Sequence, residues 1–100
     1  MEKHTPHHKL ALVKSLVQAG KAGATMTART GAAELEIEES EMWAVVAALQ
    51  RSDFYKSMTS HANHKVWQDV YRPVTEYGQI YLKFTVEDGV LVLLVSFKEL

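Results

Sequence analysis

Residues 79–95 read QIYLKFTVEDGVLVLLV. Ile80, Leu82, Phe84 and Val86 occupy one side of a period-two alternation and Tyr81, Lys83 and Thr85 the other, which predicts a strand with one apolar face. Asp88-Gly89 suits the positive φ angles that a two-residue hairpin turn demands. Beyond it Val90–Val95 is apolar on both faces, the pattern of a central strand covered on two sides. Such a hairpin must bury its apolar face against other elements, and the chain upstream has to supply them.

Immediately upstream, residues 52–73 read SDFYKSMTSHANHKVWQDVYRP. Phe54–Thr59 and Val66–Tyr71 flank the polar tetrapeptide HANH and predict two neighbouring strands or a hairpin. Pro73, which has no N–H to give a ladder, ends the second. The N-terminal half reads as helical. Thr5 is placed to cap a first helix, Pro6 occupies a favoured first helical position, Gly20 ends it, and Leu10, Val13, Leu16 and Val17 form one stripe. Residues 21–30, KAGATMTART, suggest a loop or short strand. Ser40 is a cap for a second helix over Glu41–Gln50, whose MWAVVAAL is apolar on nearly all sides and suits a core helix. Helices followed by strands predict an α+β fold, an antiparallel β-sheet with N-terminal helices packed on it, in one compact domain over residues 1–100.

Composition narrows the functional classes. Hydrophobic residues make up 47% and charged residues 23%, enough apolar material for a core and too much for a disordered chain. The longest apolar run, Met42–Leu49, falls far short of the ~20 residues of a membrane helix. MEKHTPHHK lacks the apolar segment of a secretory signal, so the expected location is the cytoplasm. With no cysteine, disulfides and thiolate metal sites are excluded. A net charge of −1 conceals an uneven layout: residues 1–33 carry five basic and one acidic side chain, 34–50 five acidic and none basic, and 51–83 five basic against three acidic. A basic face beside an acidic helix is compatible with binding phosphate backbones, as it is with ordinary solvated surfaces.

His4, His7 and His8, and separately His61 and His64, have spacings that resemble parts of metal sites, but neither cluster supplies an obvious cysteine or carboxylate ligand at close spacing, and no metal is expected. His61 and His64 could form an acid–base pair, although a polar turn between strands is the plainer account. Glycine-rich phosphate loops, paired catalytic carboxylates and serine nucleophile motifs are absent. What remains is a set of polar side chains in strands: Lys56, Gln68, Arg72, Tyr81 and Lys83. Alternation puts Tyr81 and Lys83 opposite the apolar face; Gln68 shares a face with Val66 and Val70, and Lys56 with Phe54 and Met58.

Those residues stand in familiar blocks. MEKHTPHHKLALVKSLVQAG, SDFYKSMT, VWQDVYRP, GQIYLK and VSFKE together resemble the MqsR family of toxins, small bacterial ribonucleases of the broader RelE/YoeB-like fold. The resemblance implies the toxin of a type II toxin–antitoxin pair, a sequence-selective, ribosome-independent endoribonuclease that cuts messenger RNA with preference for GCU sites. It implies an antitoxin of the MqsA type, which carries its own zinc and a helix-turn-helix DNA-binding domain, so that no DNA binding is expected of this chain alone. No membrane partner or cofactor is implied. The family's active-site lysine, glutamine and tyrosine match Lys56 in FYKSM, Gln68 in WQDVY and Tyr81 in QIYLK. Tyr55, Arg72, Lys83 and Lys98 are candidates for RNA contacts around them, and Tyr55, Trp67 and Tyr71 for base stacking or for packing.

The chemistry those residues permit is metal-free cleavage by the substrate's own 2′-hydroxyl. It needs a group to take a proton, one to stabilise charge on the phosphate and one to protonate the leaving oxygen. Lys56 can serve as a fixed cation, or as a base if burial or neighbouring positive charge lowers its pKa; Tyr81 can donate a proton and Gln68 can orient the phosphate. The competing expectation, from the residues without the resemblance, is a non-catalytic α+β module that binds nucleic acid or protein through the same face.

Overall fold

The computed structural model describes every residue from Met1 to Leu100. Strands β1 (Glu2–Lys3), β3 (Phe54–Thr59), β4 (Trp67–Tyr71), β6 (Gly78–Glu87) and β7 (Leu91–Glu99) form an antiparallel ladder in that spatial order, and β2 (Ala22–Ala24) adds to β7 in parallel. A two-residue strand β5 (Val74–Thr75) folds back on the start of β6. Helices α1 (Leu10–Gln18), α2 (Met26–Glu34) and α3 (Glu39–Ala47) pack on one face. Their Val13, Leu16, Ala28, Ala32, Met42 and Val46 meet Tyr71, Ile80, Leu82, Phe84, Val92, Leu94 and Phe97 in one buried cluster. The predicted α+β architecture holds, and no helix is long and apolar enough to cross a membrane.

The predicted β6–β7 hairpin is present. Asp88 and Gly89 have φ of 52° and 69°, the left-handed pair expected of the turn. Strand β7 differs from expectation on one side. Val92, Leu94 and Phe97 are buried against the helices, whereas Leu93 and Val95 are only half-buried because no helix covers the other face. Val95 is an extra residue in the ladder, since Lys83 pairs with Ser96 and Phe84 with Leu94.

Three local expectations are corrected. The first helix starts at Leu10 rather than behind Thr5-Pro6, because Glu2–Lys3 pairs with β3 and the backbone N–H groups of His7 and His8 donate to the two oxygens of Asp69 at 3.0 and 2.9 Å. The stretch 21–30 contains a strand and then the start of α2, which Thr25 caps by accepting from the Ala28 N–H. Helix α3 is capped by Glu38 in a reciprocal box with Glu41, two residues ahead of Ser40.

Candidate active site

Strand register brings the sequence-predicted residues together. Lys56 pairs with Val70, Val70 with Lys83 and Lys83 with Ser96, so these four form one row across β3, β4, β6 and β7. Alternation sends that row to the face that bears no helix, and Val70, fully buried yet outside the helix-side core, is its floor. Gln68, opposite Met58, flanks the row on one side; Tyr81, opposite Lys98, flanks it on the other. With strands ~4.8 Å apart, Lys56 and Lys83 stand about 10 Å from each other at the backbone. The open face therefore holds Lys56, Gln68, Tyr81, Lys83 and Lys98 within one patch.

A bulge completes it. Phe54 pairs with Tyr71 and Lys56 with Val70, leaving Tyr55 unpaired between them. Phe54 thereby turns to the core and meets Tyr71 edge-on at 5.4 Å between centroids, so Lys56 does not share a face with Phe54 as strict alternation implied. Tyr55 is left 44% exposed with the Arg72 guanidinium 4.4 Å and the Lys56 ammonium 5.4 Å from its ring centroid. The Lys98 ammonium lies 5.1 Å from the Tyr81 ring. Tyr71 is a core aromatic, stacked on Phe84, and is removed from the candidates for base stacking. Trp67 is half-buried, and the Lys3 ammonium (4.3 Å) and the near-parallel His7 ring (5.4 Å), themselves hydrogen-bonded, lie against its ring.

The lysines do not share one electrostatic environment. Lys56 Nζ donates to Glu2 Oε2 at 2.8 Å, and this bond holds the Lys56 pKa above the ordinary lysine value. The pair is exposed enough that its weight lies in the protonation of Lys56 rather than in stability. Lys83 shifts the opposite way: burial, then the charges of Lys98 and Lys56, lower its pKa. Glu2 was not legible as a site residue, because only the pairing of β1 with β3 carries it to Lys56. Asp69, buried and held by His7, His8 and the Ser57 hydroxyl (2.6 Å), anchors the segment that bears Glu2; a charge within an otherwise apolar strand face was its one signal in the sequence.

His61 and His64 are exposed in the turn between β3 and β4, apart from the row. Nowhere do three or more His, Asp or Glu side chains gather in a metal-binding group. The largest cavity, about 640 Å³, lies between α3 and the Pro73–Tyr77 turn, and its lining carries Glu41, Asp53 and Glu76 without a lysine or arginine. Those carboxylates make it a poor seat for a phosphate.

Residues 5–99 match the family described as motility quorum-sensing regulator, toxin of MqsA. The chain belongs to the MqsR toxin family. It is 52% identical to the mRNA interferase toxin MqsR of Escherichia coli K12 over 99 residues, which cover 99% of each chain. The MqsR match takes in all of β3, β4, β6 and β7, hence the whole open-face row, while Glu2 precedes the matched residues.

Proposed function

We propose that this chain is the toxin of a toxin–antitoxin pair and that residues 1–100 act as one endoribonuclease domain on messenger RNA in the cytoplasm. The observation that carries this reading is the register that sets Lys56, Gln68 and Tyr81 on one helix-free face among Lys83, Lys98 and Arg72. Four cations against the single carboxylate of Glu2 give that face the sign a phosphate backbone requires.

Cleavage proceeds without a metal. The 2′-oxygen of the substrate forms a bond to phosphorus as its proton passes to solvent water, and the bond to the 5′-oxygen breaks, that oxygen taking up a proton, to leave a cyclic phosphate and a 5′-hydroxyl. Lys56, kept protonated by Glu2, is the fixed cation beside the phosphate rather than the base. Lys83, whose pKa burial and the neighbouring charges of Lys98 and Lys56 lower, is a second cation of this face and contacts the RNA. Tyr81 protonates the departing 5′-oxygen and Gln68 orients the phosphate through its amide. Tyr55, between Arg72 and Lys56, offers a ring face on which an unpaired base can stack. The family resemblance supports GCU-containing cut sites and a zinc-bearing, helix-turn-helix antitoxin of the MqsA type as partner.

The test is to incubate the purified protein with a defined single-stranded RNA in EDTA and to map both new ends. Cyclic phosphate and 5′-hydroxyl ends at discrete sites are expected. Loss of cutting in chelator that a divalent cation restores defeats the metal-free mechanism. RNA that is retained but never cut, under any of these conditions, replaces the enzyme with a binding module.

A further inference from the structure

Beyond Gln68 the open face descends into a cavity of about 490 Å³, within the size range of small-molecule sites. It sits where β4 and β6 part company, since their pairing runs only from Asp69 to Tyr71. Its walls include the apolar side chains of Leu93 and Val95, the two β7 residues that no helix covers. Into the same cavity come three hydrogen-bonding side chains, Gln68, Thr85 and His8. A mixed lining, apolar walls from Val66, Trp67, Leu93 and Val95 with hydrogen-bonding groups set among them, opening beside a set of cations, suits a flat heteroaromatic ring.

His8 is positioned there by two independent ties. Its backbone N–H is held by Asp69 at 2.9 Å, and its ring Nε2 lies 3.2 Å from the Trp67 carbonyl oxygen and 3.5 Å from Thr85 Oγ1. A carbonyl can only accept, so Nε2 is the donor in that bond. The rim bears the carboxylates of Glu87 and Asp88 against the one cation of Lys65. Two carboxylates oppose a phosphate at this position and favour a group that donates, such as the exocyclic amine of a base.

We infer that this cavity is a nucleobase subsite of the ribonuclease, which receives a base next to the scissile phosphate and prefers an amine-bearing one (cytosine, guanine or adenine) to uracil. The inference rests on the ribonuclease reading for its substrate, but Gln68 both lines the cavity and flanks the Lys56–Lys83 row, so the two are physically continuous. Thr85 and His8 are then specificity residues, distinct from the groups that handle the phosphate.

Two measurements decide it. In the first, Lys56→Ala protein labelled for NMR is titrated with cytidine, guanosine, adenosine and uridine as free nucleosides. At least one amine-bearing nucleoside is expected to move the Thr85, Leu93 and Val95 resonances with uridine weakest, and Thr85→Val or His8→Ala should weaken that binding roughly 3- to 10-fold, the weight of one neutral hydrogen bond. Shifts confined to Tyr55 and Tyr81, no shifts at all, or uridine binding as well as the rest overturn the subsite. In the second, the cut-site profile of wild type on a randomised RNA is compared with that of Thr85→Val. Relaxed preference at one position beside the cut supports it; an unchanged profile with a uniformly lower rate overturns it. Should the wild type cut no RNA, the ribonuclease reading fails, and the nucleoside titration still judges the cavity. His8→Ala keeps the backbone tie to Asp69, so a folded variant is expected, and Thr85→Val is close to isosteric.

Discussion

Removal of the Asp69 carboxylate should unlock the N-terminal segment from the sheet. This carboxylate is fully buried and accepts from the His7 N–H at 3.0 Å, the His8 N–H at 2.9 Å and the Ser57 hydroxyl at 2.6 Å, with no cation beside it. Hydrogen bonds to a charged group contribute about 1.5–3 kcal/mol each, and three sharing one acceptor do not add fully. Asp69→Ala leaves three donors without a partner, so a loss of about 3–5 kcal/mol is expected, partly offset because the buried charge itself is gone. At roughly 4–8 °C per kcal/mol for a domain of this size, the melting temperature should fall by about 12–40 °C. Asp69→Asn keeps one acceptor but turns an NH₂ toward an N–H, and should lose about half as much. Thermal melts by circular dichroism give the magnitude, and amide exchange at His7 and His8 gives the location. An Asp69→Ala protein that melts within about 4 °C of wild type, or retains exchange protection at both histidines, refutes the reasoning.

Among the proposed catalytic residues, Lys56→Ala should cost the most, roughly 100- to 1000-fold in single-turnover cleavage, Tyr81→Phe less and Gln68→Ala least; wild-type cutting by folded Lys56→Ala ends the assignment. Because the Lys83 pKa is lowered, its charge is lost first as pH rises, so RNA affinity should weaken below the ordinary lysine range, and Lys83→Arg should carry tight binding to higher pH; identical titrations would place Lys83 away from the RNA. Gly31→Ala should destabilise by about 1–3 kcal/mol despite the better helix former, since an added Cβ would stand 1.8 Å from the Phe97 carbonyl oxygen; a rise in melting temperature would contradict the close packing of α2 on β7. The Tyr71 hydroxyl is buried with no hydrogen-bond partner among the protein's groups, and the phenol pKa is pushed up to about 12 mainly by burial. Tyr71→Phe should therefore stabilise by about 1 kcal/mol, and a clear loss in the melt would mean that the hydroxyl is satisfied.

Elements specified by near neighbours in the chain were readable from the sequence. The β6–β7 hairpin rests on alternation and on Asp88-Gly89, both local, and β3 and β4 rest on the same two-residue period. The apolar stripe of α1 was readable, but its start was not, because the cap-like Thr5-Pro6 lost to Asp69, more than sixty residues away. Helix α2 was missed for a different reason. Its MTARTGAAE has a weak apolar stripe and an internal glycine, and it is helical because Thr25 caps it and because Ala28, Gly31 and Ala32 let its backbone approach β7 closely. The parallel pairing of β2 with β7 likewise has no local signature.

The site divides along the same line. The chain's residue types and their blocks named Lys56, Gln68 and Tyr81, and strand alternation exposed Tyr81 and Lys83. Only the register of β3, β4 and β6 put the three residues on one face, and only the Tyr55 bulge turned Phe54 inward and Lys56 outward. A one-residue change in register reverses every side chain of a strand, so no local pattern could settle that question. The opposite shifts of Lys56 and Lys83 are further still from the sequence, since one comes from Glu2 on a separate strand and the other from burial and from Lys98 and Lys56 across the sheet. Periodicity is a property of the nearest few residues; charge environment is a property of whatever the fold brings within a few ångströms, and here the fold drew on both ends of the chain.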